Sequence, residues 1–237
     1  MSPAKKIIFL HHSVGANLIK EGALREHLKL KLPDFEFWDH NYNLFFHKFA
    51  LFNHTGLTDD KSFITKTDYA IPKNNTNPDG LAEIFSQLVT NPARNTFSHL
   101  IKYDVIILKS CYPVTKISSQ SQLEDYKKNY LKIRKRTDKF PNKLFILFTP
   151  PPLRSFLTKP EYARKAKEFA DWLKSGQFLE RRRNLKVFDL FNLLSDGITN
   201  TLRKDFCRVN PFDSHPNLAA NKEIALIFID FLAKLAF

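Results

Sequence analysis

Two short segments carry side chains able to do covalent chemistry together. One is His11-His12-Ser13-Val14-Gly15, directly after an apolar run. The other is Asn210-Pro211-Phe212-Asp213-Ser214-His215-Pro216-Asn217, near the far end of the chain. A serine alcohol is a weak nucleophile until an adjacent base takes its proton. Imidazole is the usual base, because it titrates close to neutrality. A carboxylate can then hold the ring in the productive tautomer. In that scheme Ser13 attacks a carbonyl carbon, His215 takes and returns the proton, and Asp213 orients His215. Each residue also has a plainer use. Serine is a good helix N-cap, and the run from Asp213 suits an Asx-type turn before a helix. His215 precedes a proline, which places it in extended backbone and not inside a helix.

Such groups need a scaffold that brings residue 13 to residue 215. Short apolar runs alternate with longer amphipathic ones. Residues 6–10, 35–39, 104–109, 143–149 and 184–189 read as strands, with 104–109 covered on both faces. Residues 16–32, 122–136, 159–178 and 217–236 have helical spacing; Pro33 stops the first and Pro160 starts the third. This alternation predicts βαβ units and a parallel sheet with helices on both sides. Ligands in such sheets sit beyond the carboxyl ends of the strands, near a switch in strand order. Ser13 follows the first strand, so its backbone N–H at a helix N-terminus could stabilise an oxyanion.

Residues 40–78 break the alternation. They are rich in turn formers and aromatics, and are expected to form an irregular, ordered cap that buries Phe45, Phe46, Phe49 and Phe52. The whole chain, 1–237, reads as one domain carrying that insertion.

With its serine just after the first strand, and Asp213 and His215 followed by Pro216-Asn217 before the last helix, the chain resembles the SGNH/GDSL hydrolase superfamily. The resemblance spans most of the chain, including the strand that ends near Lys109-Ser110-Cys111-Tyr112. It implies a flavodoxin-like three-layer α/β/α sandwich with a five-stranded parallel sheet. The implied activity is serine ester hydrolysis, as an esterase, a lipase-like enzyme or a carbohydrate O-deacetylase. The substrate would be a small-molecule, glycan or lipid ester, and no cofactor or metal is implied. The machinery would be a Ser13–His215–Asp213 triad, or a Ser13–His215 dyad. The family's oxyanion hole uses the serine N–H, a glycine N–H and an asparagine side chain. Gly80 is the candidate glycine, with Gly56 second. The pattern differs in three places. His11-His12-Ser13 replaces Gly-Asp-Ser, the Asp stands two residues before the His instead of three, and the asparagine is missing. Ser110 is the candidate substitute donor, with Asn74 or Asn75 reaching in from the cap as alternatives. Lys109 either binds an anionic substrate group or snorkels to solvent. Cys111 reads as a small buried residue, or less simply as a thiolate nucleophile.

Other chemistries lack their signatures. No Gly-x-Ser-x-Gly elbow, Gly-x-Gly-x-x-Gly turn or Walker loop is present. His11 and His12 with Asp39 or His40 could be considered as metal ligands, but adjacent strand residues point to opposite faces. Two cysteines, Cys111 and Cys207, make neither a disulfide framework nor a zinc cluster.

The composition is 43% hydrophobic and 26% charged, which excludes a disordered or low-complexity chain. The net charge of +13 attracts polyanions. A non-catalytic binder of an anionic ligand or nucleic acid on the same fold is therefore the alternative reading, although no nucleic-acid motif is recognisable. The basic run 127–139 is explained by a solvated helix face. The apolar start is too short for a signal peptide and no run spans a bilayer, so the expected location is the cytoplasm, where the sequons at Asn53 and Asn74 have no meaning.

Overall fold

The structure, a computed structural model, describes residues 4–42, 56–65, 67–71 and 76–235. Strand β1 (Lys5–His11) runs into helix α1 (Ser13–Lys20), followed by α2 (Leu24–Lys31) and β2 (Phe35–Asn41). Next come β3 (Leu57–Thr58), α3 (Pro78–Ser86), α4 (Thr96–Leu100) and β4 (Val105–Lys109). The second half contains α5 (Gln120–Thr137), β5 (Leu144–Phe148), α6 (Pro160–Lys174) and α7 (Gly176–Leu179). It closes with β6 (Leu185–Phe188), α8 (Leu190–Leu194) and α9 (Leu218–Lys234).

Among the described residues the sheet has six strands, in the order β3-β2-β1-β4-β5-β6. Five are parallel, and β3 pairs antiparallel with β2. The expectation of a five-stranded sheet is corrected by this short edge strand. Its two residues follow Gly56, whose carbonyl accepts from Asn41 N–H at 3.0 Å. A Cβ on Gly56 would stand 2.0 Å from the Asn41 carbonyl oxygen, so the approach needs glycine. Two residues are too few to show an apolar period in the sequence.

Side chains alternate between two cores, as the strand period requires. Ile8, Leu10, Ile106, Leu108, Phe145 and Leu147 face α3, α5 and α6 through Leu81, Phe85, Leu123, Tyr130 and Phe169. Ile7, Phe9, Val105, Ile107, Ile146 and Phe148 face α1, α2 and α9 through Val14, Leu18, Leu28, Ile224 and Phe228. The chain is thus an α/β protein with a mostly parallel sheet flanked by helices.

Two long helices of the sequence reading are divided. The span 16–32 breaks at Gly22-Ala23, where Ala23 adopts φ 50°. A Cβ at Gly22 would lie 2.6 Å from the Asn221 carbonyl oxygen of α9, so the break lets the last helix pack close. The span 159–178 breaks at Ser175, whose side chain accepts from Phe178 N–H and starts α7. In the span 40–78, β2 extends to Asn41, β3 joins the sheet, and Pro78 opens α3. The four phenylalanines expected to pack as a cap lie outside the described residues.

From β1 the chain builds outward to β2 and β3; from β4 it builds the other way to β5 and β6. The switch in strand order falls between β1 and β4, and the crevice beyond their carboxyl ends is the place for a ligand.

Candidate functional site

Ser13 is the first helical residue of α1, and His12 is the N-cap. The serine hydroxyl therefore does not cap the helix. Its Oγ lies 2.6 Å from Nε2 of His215, a residue 202 positions away. On the other side of the ring, Nδ1–H of His215 donates to Asp213 Oδ1 at 2.5 Å, and the same oxygen accepts His215 N–H at 2.8 Å. The shorter Asp–His spacing is reconciled by extended backbone. Residues two apart point the same way, while Ser214 between them faces inward, fully buried, and accepts from Arg154 N–H at 3.1 Å. Capping of α9 falls to Asn217, whose side chain accepts from Ala220 N–H. Asp213 is left for the imidazole. Burial alone would raise its carboxyl, but the bonds from His215 N–H and ring, with the Arg208 charge, hold it below the ordinary range.

The turn that leads into Ser13 is set by the two histidines, which point to opposite faces. His11 is buried; its Nδ1 donates to the His12 carbonyl at 2.9 Å, and its Nε2 lies 2.9 Å from Asp39 Oδ2. Asp39 also pairs with Arg25 from α2. The His12 carbonyl accepts from Gly15 and Ala16 N–H and so starts α1. A Cβ on Gly15 would stand 2.3 Å from His11 Cβ, which explains the glycine two residues after Ser13. His12 Nε2 accepts Thr76 N–H at 3.3 Å. Burial, then the charges of Lys109 and His11, push its pKa down to about 3, so the ring is neutral near pH 7. His40 pairs with Asp68.

The expected oxyanion donors are distributed differently. Ser13 N–H stands in the first turn of α1, where helix N–H groups lack intrahelical acceptors. Gly80 is buried in the first turn of α3. That end of α3 reaches the β1 and β4 strand ends through Thr76, which contacts His12 and Ser110. Gly56 belongs to the β2–β3 edge. The Ser110 hydroxyl is not available as expected: it is buried and donates to the Thr76 carbonyl at 2.6 Å, with Tyr130 OH at 3.3 Å. Asn74 and Asn75 lie outside the described residues. Cys111 is half-buried, with Sγ 3.7 Å from Ser13 Oγ. Lys109 does not snorkel; it is fully buried.

Several positioning residues carried no sequence signal. Tyr112 packs edge-on against His215 with ring centroids 5.0 Å apart. Arg208 lies 3.9 Å from Asp213, donates to the Pro216 carbonyl and pairs with Glu21 just beyond α1. Asn221 donates to both Glu21 and the Pro216 carbonyl. This network clamps the His215 turn onto the helix that carries Ser13. Its members are almost two hundred positions apart, so no local pattern could link them. Surface depressions at Trp38, Tyr69 and Tyr103 and along α5 do not include the Ser13–His215 pair. No helix among the described residues is long and apolar enough to cross a membrane.

No protein-family model matches the chain, and no curated protein matches it. Among solved structures it is similar to a salicylyl-acyltransferase from a tetracycline biosynthetic pathway, with 12% identity and a TM-score of 0.44 over 99% of this chain. The chain spans 56% of that protein. It is also similar to a possible lipase from Chitinophaga pinensis DSM 2588, with 13% identity and a TM-score of 0.45 over 98% of both chains. Likeness at this level leaves residue roles and substrate to the site's own chemistry.

Proposed function

We propose that the chain is a divergent SGNH-type serine hydrolase that cleaves an O-acyl ester of a small molecule, glycan or lipid. The observation that carries this reading is the continuous hydrogen-bonded chain from Ser13 Oγ through His215 to Asp213. With its Nδ1–H donating to Asp213, the ring presents an unprotonated Nε2 to the serine hydroxyl. Ser13 Oγ attacks the ester carbonyl as its proton passes to Nε2. The tetrahedral intermediate collapses as His215 returns that proton to the leaving alcohol. Water, activated by the same imidazole, then releases the acid and restores Ser13. The Ser13 and Gly80 N–H groups are the backbone donors assigned to the oxyanion.

Short p-nitrophenyl esters and a fluorophosphonate probe test the reading. Turnover and covalent labelling are expected in the natural protein and are lost in Ser13→Ala and His215→Ala. Undiminished turnover in Ser13→Ala removes the serine from the mechanism. No turnover or labelling, with polyanion binding that weakens steeply with salt, favours the binder instead.

A further inference from the structure

Strand β4 ends on a lysine that never reaches water. Lys109 is 0% exposed, and its Nζ donates to the Ser110 carbonyl at 3.1 Å. Among the described residues, no carboxylate lies within ion-pair distance of it. An ammonium has three donors and is strongly hydrated, so burying it against one carbonyl is costly. A fold that keeps such a group holds an unpaired positive charge at the end of β4.

Its position is at the switch in strand order. Leu10 of β1 pairs with Leu108 of β4, so Lys109 and Ser13 leave neighbouring strand ends. The Lys109 charge is felt by His12, the residue before the nucleophile, and the Cys111 thiol two residues on lies 3.7 Å from Ser13 Oγ. From β1, His11 is turned to Asp39; from α5, Tyr130 reaches only as far as Ser110. Across Ser13 stand His215 and Asp213. His12 is neutral, so it adds no competing cation.

We propose that the Lys109 ammonium stabilises the oxyanion formed on Ser13 attack, supplying the electrostatic element for which the site has no asparagine. The inference rests on the hydrolase reading. As the Ser13 Oγ–carbon bond forms, the carbonyl π pair moves to oxygen and the serine proton moves to His215. The new negative charge then develops at the strand ends where a fixed positive charge is already held, so its field needs no reorganisation. Burial lowers the Lys109 pKa to about 8, so the ammonium is charged at neutral pH and titrates in mildly alkaline solution.

The experiment measures kcat/KM for p-nitrophenyl acetate against pH in the natural protein, Lys109→Met and Cys111→Ala, with melting temperatures alongside. Losing one oxyanion group costs roughly 100-fold or more, so Lys109→Met is expected to lose about that factor at pH 7. Its melting point should hold or rise, since a buried unpaired charge has gone. In the natural protein, kcat/KM is expected to fall as pH rises through about 8. That alkaline limb should persist in Cys111→Ala and vanish in Lys109→Met. Full activity in folded Lys109→Met, or a limb that follows Cys111, overturns the proposal and leaves the hydrolase reading standing. If Lys109→Met does not fold, the alkaline limb decides, and a flat profile overturns the proposal. A natural protein without any turnover overturns both.

Discussion

Replacing Asp213 with asparagine separates a working triad from a mere turn. The new side chain would still form an Asx turn and could keep the bond from His215 N–H, now 2.8 Å. What changes is the partner of Nδ1. If the amide nitrogen faces the ring, the proton moves to Nε2, and Ser13 meets a donor where it needs an acceptor. If the amide oxygen faces it, the imidazolium formed during attack has lost its negative neighbour. The two side chains are 21% and 26% exposed, so the pair is partly screened. Two unit charges about 4 Å apart at an effective dielectric near 20 attract by about 4 kcal/mol. At about 1.4 kcal/mol per decade, that is a kcat loss of roughly 1,000-fold. The pair is partly exposed, so folding stability should fall by only about 1 kcal/mol. For a chain of this size that is a melting shift of about 2–4 °C. Stopped ester assays and thermal scans on one preparation measure both quantities. A kcat near the natural value refutes the triad, and a kcat loss that tracks the unfolded fraction refutes the catalytic account of it.

Two further outcomes follow from the turn that leads into Ser13. Gly15→Ala puts a Cβ within 2.3 Å of His11 Cβ, the root of a buried side chain that cannot swing away. It is expected to cost about 1–3 kcal/mol in denaturant unfolding and to lower kcat, whereas a neutral result would mean the turn is loose. His12 adds an acid-side stability dependence. Its folded pKa, about 3, is below the ordinary 6.5, so its contribution is complete above pH 6.5 and is lost as pH falls towards 3. In that window the unfolded chain takes up a proton that the folded one refuses, giving a slope of up to about 1.4 kcal/mol per pH unit. The lowered pKa values of His40 and His99 act in the same direction in both proteins. The slope difference between the natural protein and His12→Gln, from urea unfolding at pH 6.5 and below, therefore isolates His12; identical slopes refute it.

Much of the architecture was legible because its causes are local. Apolar runs ending at Leu10, Leu108 and Phe148, separated by amphipathic stretches, require a layered α/β sheet whatever their partners. The strand end before Ser13 and the proline after His215 place both groups at turns by backbone chemistry alone. What the tertiary structure decided depends on approach between distant segments. The span 16–32 reads as one helix, and only the close approach of α9 at Gly22 divides it. Lys109 reads as a lysine that binds an anionic group or snorkels to solvent, and its full burial is a property of the surrounding sheet. Ser110 has a hydroxyl for any acceptor, and only the arrival of Thr76 assigned it. Asp213 could serve helix or imidazole until Asn217 took the cap. A residue's type sets which bonds it can make; the fold sets which partner is within 3 Å, and here it brings Ser13, His215 and Asp213 into one hydrogen-bonded row.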